Sequence, residues 1–267
     1  SKGPTRRYAG TTHISTATTG AGEAAEIVAA LSEKGLSVSG LGYYPNALHP
    51  DQAHRDVVLD HLKTVIDTSA DMGVNLVNTF CGGDGSKNVD ENWAEAERVW
   101  TDIIAYARDK GVKIAFENCP MIFSYDEWPG GHNIAYSPNI WRRILEAWGE
   151  DVGMNFDPSH LVWQMIDQGR FIRECGPHML HAHAKDVMID RDGLYEHGVM
   201  SVGMGWQVPR MPGLGDTEWS VVFSELYRSG YDGPMIIEHE DRNFEGSDEL
   251  VKRGFALARD VLRPYVK

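Results

Sequence analysis

"VGMNFDPSHLVWQ" fills residues 152–164, and its reading decides the rest. An apolar run ends in a carboxylate, Asp157, followed at once by Pro158 and, three places beyond the aspartate, by His160. Proline has no N–H to give a ladder, so it helps to end the strand there. Acidic groups seldom follow apolar strand cores directly unless something compensates their charge. The same ending recurs along the chain. "VKIAFEN" (112–118) finishes on Glu117 and Asn118, "HMLHAHA" (178–184) on His183, and "PMIIEHE" (234–240) runs through Glu238. "VNLVNTF" (74–80) carries Asn78, and "SVSGLGYY" (37–44) ends on Tyr43 and Tyr44.

Amphipathic windows separate these strands. Residues 21–36, 51–72, 88–110, 137–148, 163–174, 218–229 and 247–265 have helical periodicity, several of them closed by glycine. Strands alternating with helices of this length mean βαβ units and a parallel sheet. A doubly wound sheet and a closed barrel both fit that alternation. No GxGxxG follows the first strand and no GxxxxGK occurs. Polar residues instead sit at the C-terminal ends of nearly every strand, and in a barrel all those ends meet on one face. The predicted fold is therefore an α/β (β/α)8 TIM barrel, one domain over residues 1–267. Only six strands can be counted where such a barrel has eight. The first strands are expected to be missing from the N-terminus, in roughly 35 to 45 residues upstream of Ser1 at about 30 residues per βαβ step. The opening residues 1–20 read as a polar loop. Residues 187–215 read as a long insert loop of the kind that covers active sites or makes subunit contacts, with Arg210 as a candidate contact to substrate.

A net charge of −14 argues against a nucleic-acid or anionic-membrane partner. Cys81, Cys119 and Cys175 have no CxxC spacing, which argues against a disulfide framework or a structural zinc knuckle and makes a reducing cytoplasm the expected compartment. No stretch has the apolar length of a membrane span.

Three carboxylates and one imidazole, Glu117, Asp157, His183 and Glu238, form a mostly oxygen donor set. Such a set suits Mn²⁺ first, with Mg²⁺ or Co²⁺ as alternatives, rather than a thiolate zinc site. Taken with "GLGYYPNALHPD", "VNTF", "FENCP", "DPSHLVWQ", "HAHAKD", "PGLGDTEW" and "YDGPMIIEHED", the chain resembles the sugar phosphate isomerase/epimerase family with the xylose isomerase-like barrel. That group includes tagatose and allulose 3-epimerases, inosose-processing enzymes, dehydratases, C-glycoside deglycosidases and the endonuclease IV branch. The resemblance implies that Glu117, Asp157, His183 and Glu238 bind one divalent ion, that Glu117 and Glu238 also carry protons to and from an enediolate, and that His160 hydrogen-bonds a substrate oxygen.

The implied activity is a metal-dependent isomerase or epimerase of a keto sugar or related polyol. The alternative is a lyase on a 3-oxo sugar, either a dehydratase or a deglycosidase catalytic subunit with a small accessory subunit. A nuclease like endonuclease IV is disfavoured by the charge and by the single clear metal histidine. A homo-oligomer is expected. The lack of an Arg/Lys cluster at the strand ends favours an unphosphorylated substrate. Further candidates for substrate contact are Asp186, Asn78, Tyr43 and Arg210, with Trp128, Trp163 and Trp206 joining Tyr43 in an aromatic wall. His49 and His132 are expected in loops, and His181 as a core histidine below His183, since i and i+2 share a strand face.

Overall fold

A computed structural model of the chain describes residues 13–16, 18–121, 132–199 and 205–266. Residues 1–12 and Trp128 lie outside the described residues. The chain divides into two compact units, Ser1–Met154 and Asn155–Lys267.

The first unit runs α1 (Ala21–Ser32), β1 (Leu41–Gly42), α2 (Gln52–Asp71), β2 (Leu76–Thr79), α3 (Val89–Asp109), β3 (Lys113–Glu117) and α4 (Pro138–Trp148). β4 (Val152–Phe156) begins in it and ends in the second unit. β1, β2 and β3 pair in parallel: Asn78 lies opposite Gly42 on one side and Ala115 on the other. The helices start where side chains can take up orphan backbone donors. Asp51 caps α2 by accepting from His54 N, and Asn88 with Glu91 forms a reciprocal capping box on α3. α3 then buries Trp93, Ala96, Val99, Trp100, Ile103, Ile104 and Ala107, a stripe at three- and four-residue spacing. Fully buried Trp100 sets its ring edge-on to Phe116 of β3 at 4.6 Å and donates its indole N–H to the Cys81 carbonyl at 2.8 Å. This pairing seats the helix on the strand that delivers Glu117.

The second unit continues with α5 (Ser159–Trp163), α6 (Gln168–Cys175), β5 (Met179–Ala184), β6 (Asp186–Ile189), α7 (Arg191–His197), β7 (Gln207–Arg210), α8 (Trp219–Arg228), β8 (Met235–Ile237) and α9 (Asp248–Leu262). β5 and β8 are parallel neighbours, His183 lying opposite Ile236. The six predicted strands all occur at their predicted places.

Two expectations are corrected. The helix expected over 163–174 is split, because Met165 takes a left-handed φ of 57° and the Asp167 side chain accepts from Arg170 N at 2.6 Å, starting α6 afresh. The insert is not a loop without structure. β6 and β7 form an antiparallel ribbon running from the Asp186/Arg210 pair to the Ile189/Gln207 pair, with α7 between them. Trp163, Val187 and Trp206 are buried together beneath it, joined by partly buried Ile189 and Leu194. The segment's glycines and prolines dilute the alternation that would have marked the strands.

Asp186 holds the ribbon to the following chain. Its fully buried carboxylate accepts from Val187 N and Thr217 N at 2.9 Å through Oδ1, and from Gly213 N at 2.9 Å and the Trp219 indole at 3.0 Å through Oδ2. Gly215 is required here, since a Cβ would come within 2.4 Å of Asp186 Oδ1. Asp186→Ala leaves four donors without an acceptor, each worth about 1–3 kcal/mol when buried. Chemical denaturation of that variant is expected to show a loss of at least about 3 kcal/mol, whereas a residue that only touched substrate would leave stability unchanged.

Candidate functional site

Three extended segments of the second unit bring their polar residues to one place by the two-residue parity of a strand. Asn155 and Asp157 share a side at the end of β4. His181, His183 and Lys185 do so along and just beyond β5, and Glu238 and Glu240 directly after β8.

Asn155, fully buried, joins the two histidines: its Oδ1 lies 2.9 Å from His181 Nδ1 and its Nδ2 3.2 Å from His183 Nε2. With Nε2 turned to Asn155, His183 points Nδ1 at Glu238 Oε2, 2.9 Å away. Asp157 divides its oxygens in the same fashion. Oδ1 accepts from Ser159 N at 2.9 Å and Ser159 Oγ at 2.7 Å, while Oδ2 faces His160 Nε2 at 3.1 Å and Lys185 Nζ at 3.0 Å. Lys185, 6% exposed, also lies 3.2 Å from Glu238 Oε2 and 3.3 Å from Glu240 Oε2.

These contacts shape the charges. Burial alone would raise the Asp157 carboxyl, but the Lys185 ammonium and His160 hold it far below the usual carboxylate range. Burial likewise opposes Glu238, yet Lys185 and then His183 bring it down to about 2. Glu240 moves the other way, raised chiefly by burial and then by the charge of Glu238, against the pull of Lys185. His181 is lowered from the usual 6.5 to about 4 by burial first and His183 second, so it is neutral at pH 7.

Asp157, His183 and Glu238 each offer one donor atom, and these atoms all lie within 4.8 Å of one another. Two hard oxygens and an imidazole nitrogen at that spacing fit one shared divalent ion with bonds of about 2.0–2.4 Å. Facing the Asn155 amide nitrogen, His183 Nε2 accepts and the ring proton sits on Nδ1 towards Glu238; to bind an ion through Nδ1 the ring would have to move that proton to Nε2, with the Asn155 amide turned to accept it.

The remaining candidates sit as follows. In the first unit, Glu117 ends β3, 4% exposed, and its carbonyl accepts from Asn133 Nδ2 at 2.9 Å. Asn78 is buried on β2. Tyr43 packs its ring at a tilt against His61 of α2, centroids 4.7 Å apart, and it is Tyr44 that packs with Phe80, Cys119 and Met121. In the second unit, His160 is 4% exposed and has both ring nitrogens facing protein groups, Nδ1 accepting from the Trp163 indole at 3.2 Å and Nε2 facing Asp157. That geometry orients Asp157 rather than reaching towards a substrate.

Asp186 is saturated by backbone and indole donors and has no oxygen left for a sugar. Arg210 leans on Asp241, Nε to Oδ2 at 3.5 Å, and Trp163 and Trp206 are core residues instead of an exposed wall. Asn155 and Glu240 were not singled out from sequence, and Lys185 only as a neighbour of Asp186. Their signal was the parity of "NFD", "HAHAK" and "EHE".

His181 gives a pH signature. Its folded pKa lies below its unfolded value, so the neutral form favours folding. That contribution is complete above pH 6.5 and fades as pH falls towards 4, to a total of about 3 kcal/mol. Denaturant melts of chelator-treated protein between pH 7 and 4.5 are expected to show this decline, and His181→Gln is expected to flatten it.

The family model of the xylose isomerase-like TIM barrel matches residues 9–261, running through both units. The uncharacterized protein YfiH of Bacillus subtilis (strain 168) is 33% identical over 151 residues, 53% of this chain and 45% of that protein, so the match spans less than half the length of that relative. Among solved structures, D-psicose 3-epimerase of Clostridium cellulolyticum H10 superposes with a TM-score of 0.68 at 16% identity, covering 93% of this chain and 85% of that one. The IolI protein with a bound zinc atom does so with a TM-score of 0.67, also at 16% identity, covering 94% and 84%. At such identities the likeness is one of fold. The strand ends, the buried donor set and the extent of the family match lead to one conclusion: this chain belongs to the family of xylose isomerase-like TIM barrels.

Proposed function

We propose that the whole chain acts as one barrel domain, a divalent-metal-dependent isomerase or epimerase of a keto sugar or related polyol that works through an enediolate. The observation that carries this reading is the carboxylate–imidazole–carboxylate set of buried Asp157, His183 and part-buried Glu238, with donor atoms within 4.8 Å. In a barrel the strand ends share one face, and Glu117 is the last residue of β3 as Asp157 is the first after β4. Glu117 is therefore assigned as the fourth ligand, and Mn²⁺ as the preferred ion of this hard, mostly oxygen set.

When bound, the ion polarises the ketone and stabilises the negative charge of the enediolate. The protein does the rest. Glu117 and Glu238 hold and return the proton at the hydroxyl-bearing carbon from opposite sides. Lys185 and His183 keep the Glu238 carboxylate ionised and so able to accept a proton. His160 fixes the direction of Asp157 Oδ2. Asn78 is the best candidate to meet a substrate hydroxyl, because its buried Oδ1 accepts no hydrogen bond among the described residues.

The test is proton exchange. In deuterated water with Mn²⁺, a keto sugar substrate is expected to take up deuterium at the carbon beside the carbonyl. Chelator should abolish the exchange, and Glu117→Gln and Glu238→Gln should each slow it by about 100-fold or more. Full exchange in both variants would remove the assigned proton carriers. Expulsion of a substituent in place of exchange would replace the isomerase reading by a lyase.

A further inference from the structure

Asp157 and Glu238 each direct one oxygen at the amine of Lys185. Oδ1 of Asp157 is taken by Ser159, so Oδ2 is the ligand atom, and Lys185 Nζ lies 3.0 Å from it. Oε2 of Glu238 faces His183 Nδ1 at 2.9 Å and Lys185 Nζ at 3.2 Å. An ion that took those same two oxygens would share its ligands with the ammonium and be repelled by it. A third carboxylate lies beside the lysine: Glu240 Oε2, 3.3 Å from Nζ and two residues beyond Glu238.

We propose that Lys185 is the site's internal counter-ion and competes with the metal for Asp157 and Glu238, and that Glu240 receives the lysine when the metal enters. The proposal rests on the metal-site reading above. Lys185, only 6% exposed, has little room to withdraw to solvent, so its exchange of partners takes place inside the site. The lysine neutralises part of the charge of three clustered carboxylates in the metal-free fold, which lets that fold form before metal arrives. It also weakens every cation that binds, because the energy of displacing the ammonium is subtracted from the binding of the ion. Glu240 reduces that loss by offering the ammonium a second carboxylate within a short side-chain movement. Lys185 is thus a positioning residue that sets metal affinity, distinct from the ligands.

The experiment is titration of chelator-stripped protein with Mn²⁺, followed by calorimetry and by thermal melting with and without the ion, in wild type, Lys185→Met, Lys185→Arg and Glu240→Gln. Lys185→Met is expected to bind Mn²⁺ at least about tenfold more tightly, to melt earlier without metal, and to gain more from metal than wild type. Lys185→Arg, which keeps the charge, is expected to stay near wild type. Glu240→Gln is expected to bind Mn²⁺ several-fold more weakly, since the lysine loses its alternative partner.

Equal or weaker Mn²⁺ binding in Lys185→Met would overturn the proposal, as would unchanged binding in Glu240→Gln. Should Lys185→Met fail to fold without metal, protein purified with Mn²⁺ and challenged with chelator gives the same comparison through its rate of metal loss. Failure of the metal reading itself is separately visible: wild type and Asp157→Asn would then give the same flat titration.

Discussion

A carboxylate at the end of a buried strand has to meet positive charge, and in the second unit that charge is Lys185. Its ammonium lies within 3.3 Å of Asp157, Glu238 and Glu240, and two of the three are held well below or at the foot of the ordinary carboxylate range as a result. The third, Glu240, is not. One ammonium does not compensate three acids equally, and Glu240 is raised, chiefly by its burial and then by the charge of Glu238 two residues back. The cluster thus gathers three carboxyl groups around one ammonium and the imidazoles of His160 and His183. A divalent cation is a fitting partner for such a cluster of acids, and the donor spacing argues for the same chemistry.

The polar residues around this cluster are arranged to fix direction. Ser159 takes one oxygen of Asp157 and leaves the other. The Trp163 indole occupies one nitrogen of His160, so the imidazole proton sits on the side of Asp157. Asn155 meets one nitrogen of His183 and leaves Nδ1 towards Glu238. Each donor atom is selected because its alternative is already used. This kind of orientation by outer contacts is what holds ligands in place before an ion is present.

Much of this could be read in the sequence, and the reasons differ by residue. Strand positions were legible because apolar runs bounded by glycine-closed helices have few other readings, and Glu117, Asp157, His183 and Glu238 stood out because charge is out of place after such runs. The ribbon over 186–210 was not legible, since its strands are four residues each and interrupted by Pro209, and their pairing is a long-range event that no local pattern announces. Asp186 and His160 were legible as polar residues near the site, but their direction was not. Asp186 follows Lys185 in the chain and so turns its side chain away from the site to the ribbon. The directions of Tyr43 and Tyr44 were not legible for the same reason: one residue of parity decides which of two neighbours meets His61 of α2 and which meets Phe80.

Parity also explains why His181 and His183, two residues apart with ring centres at 5.7 Å, behave as different groups. His181 is deeper, neutral, and turned towards Asn155; His183 is at the level of the acids and turned towards Glu238. A second imidazolium below His183 would repel any cation above it, so burial of His181 does more than fill space. It removes a positive charge from beneath the place where a cation would bind. The single amide of Asn155 touches both rings, and because one end of that amide donates and the other accepts, the two histidines cannot choose their tautomers independently. The neutral layer beneath and the charged layer above are thus coupled through one side chain.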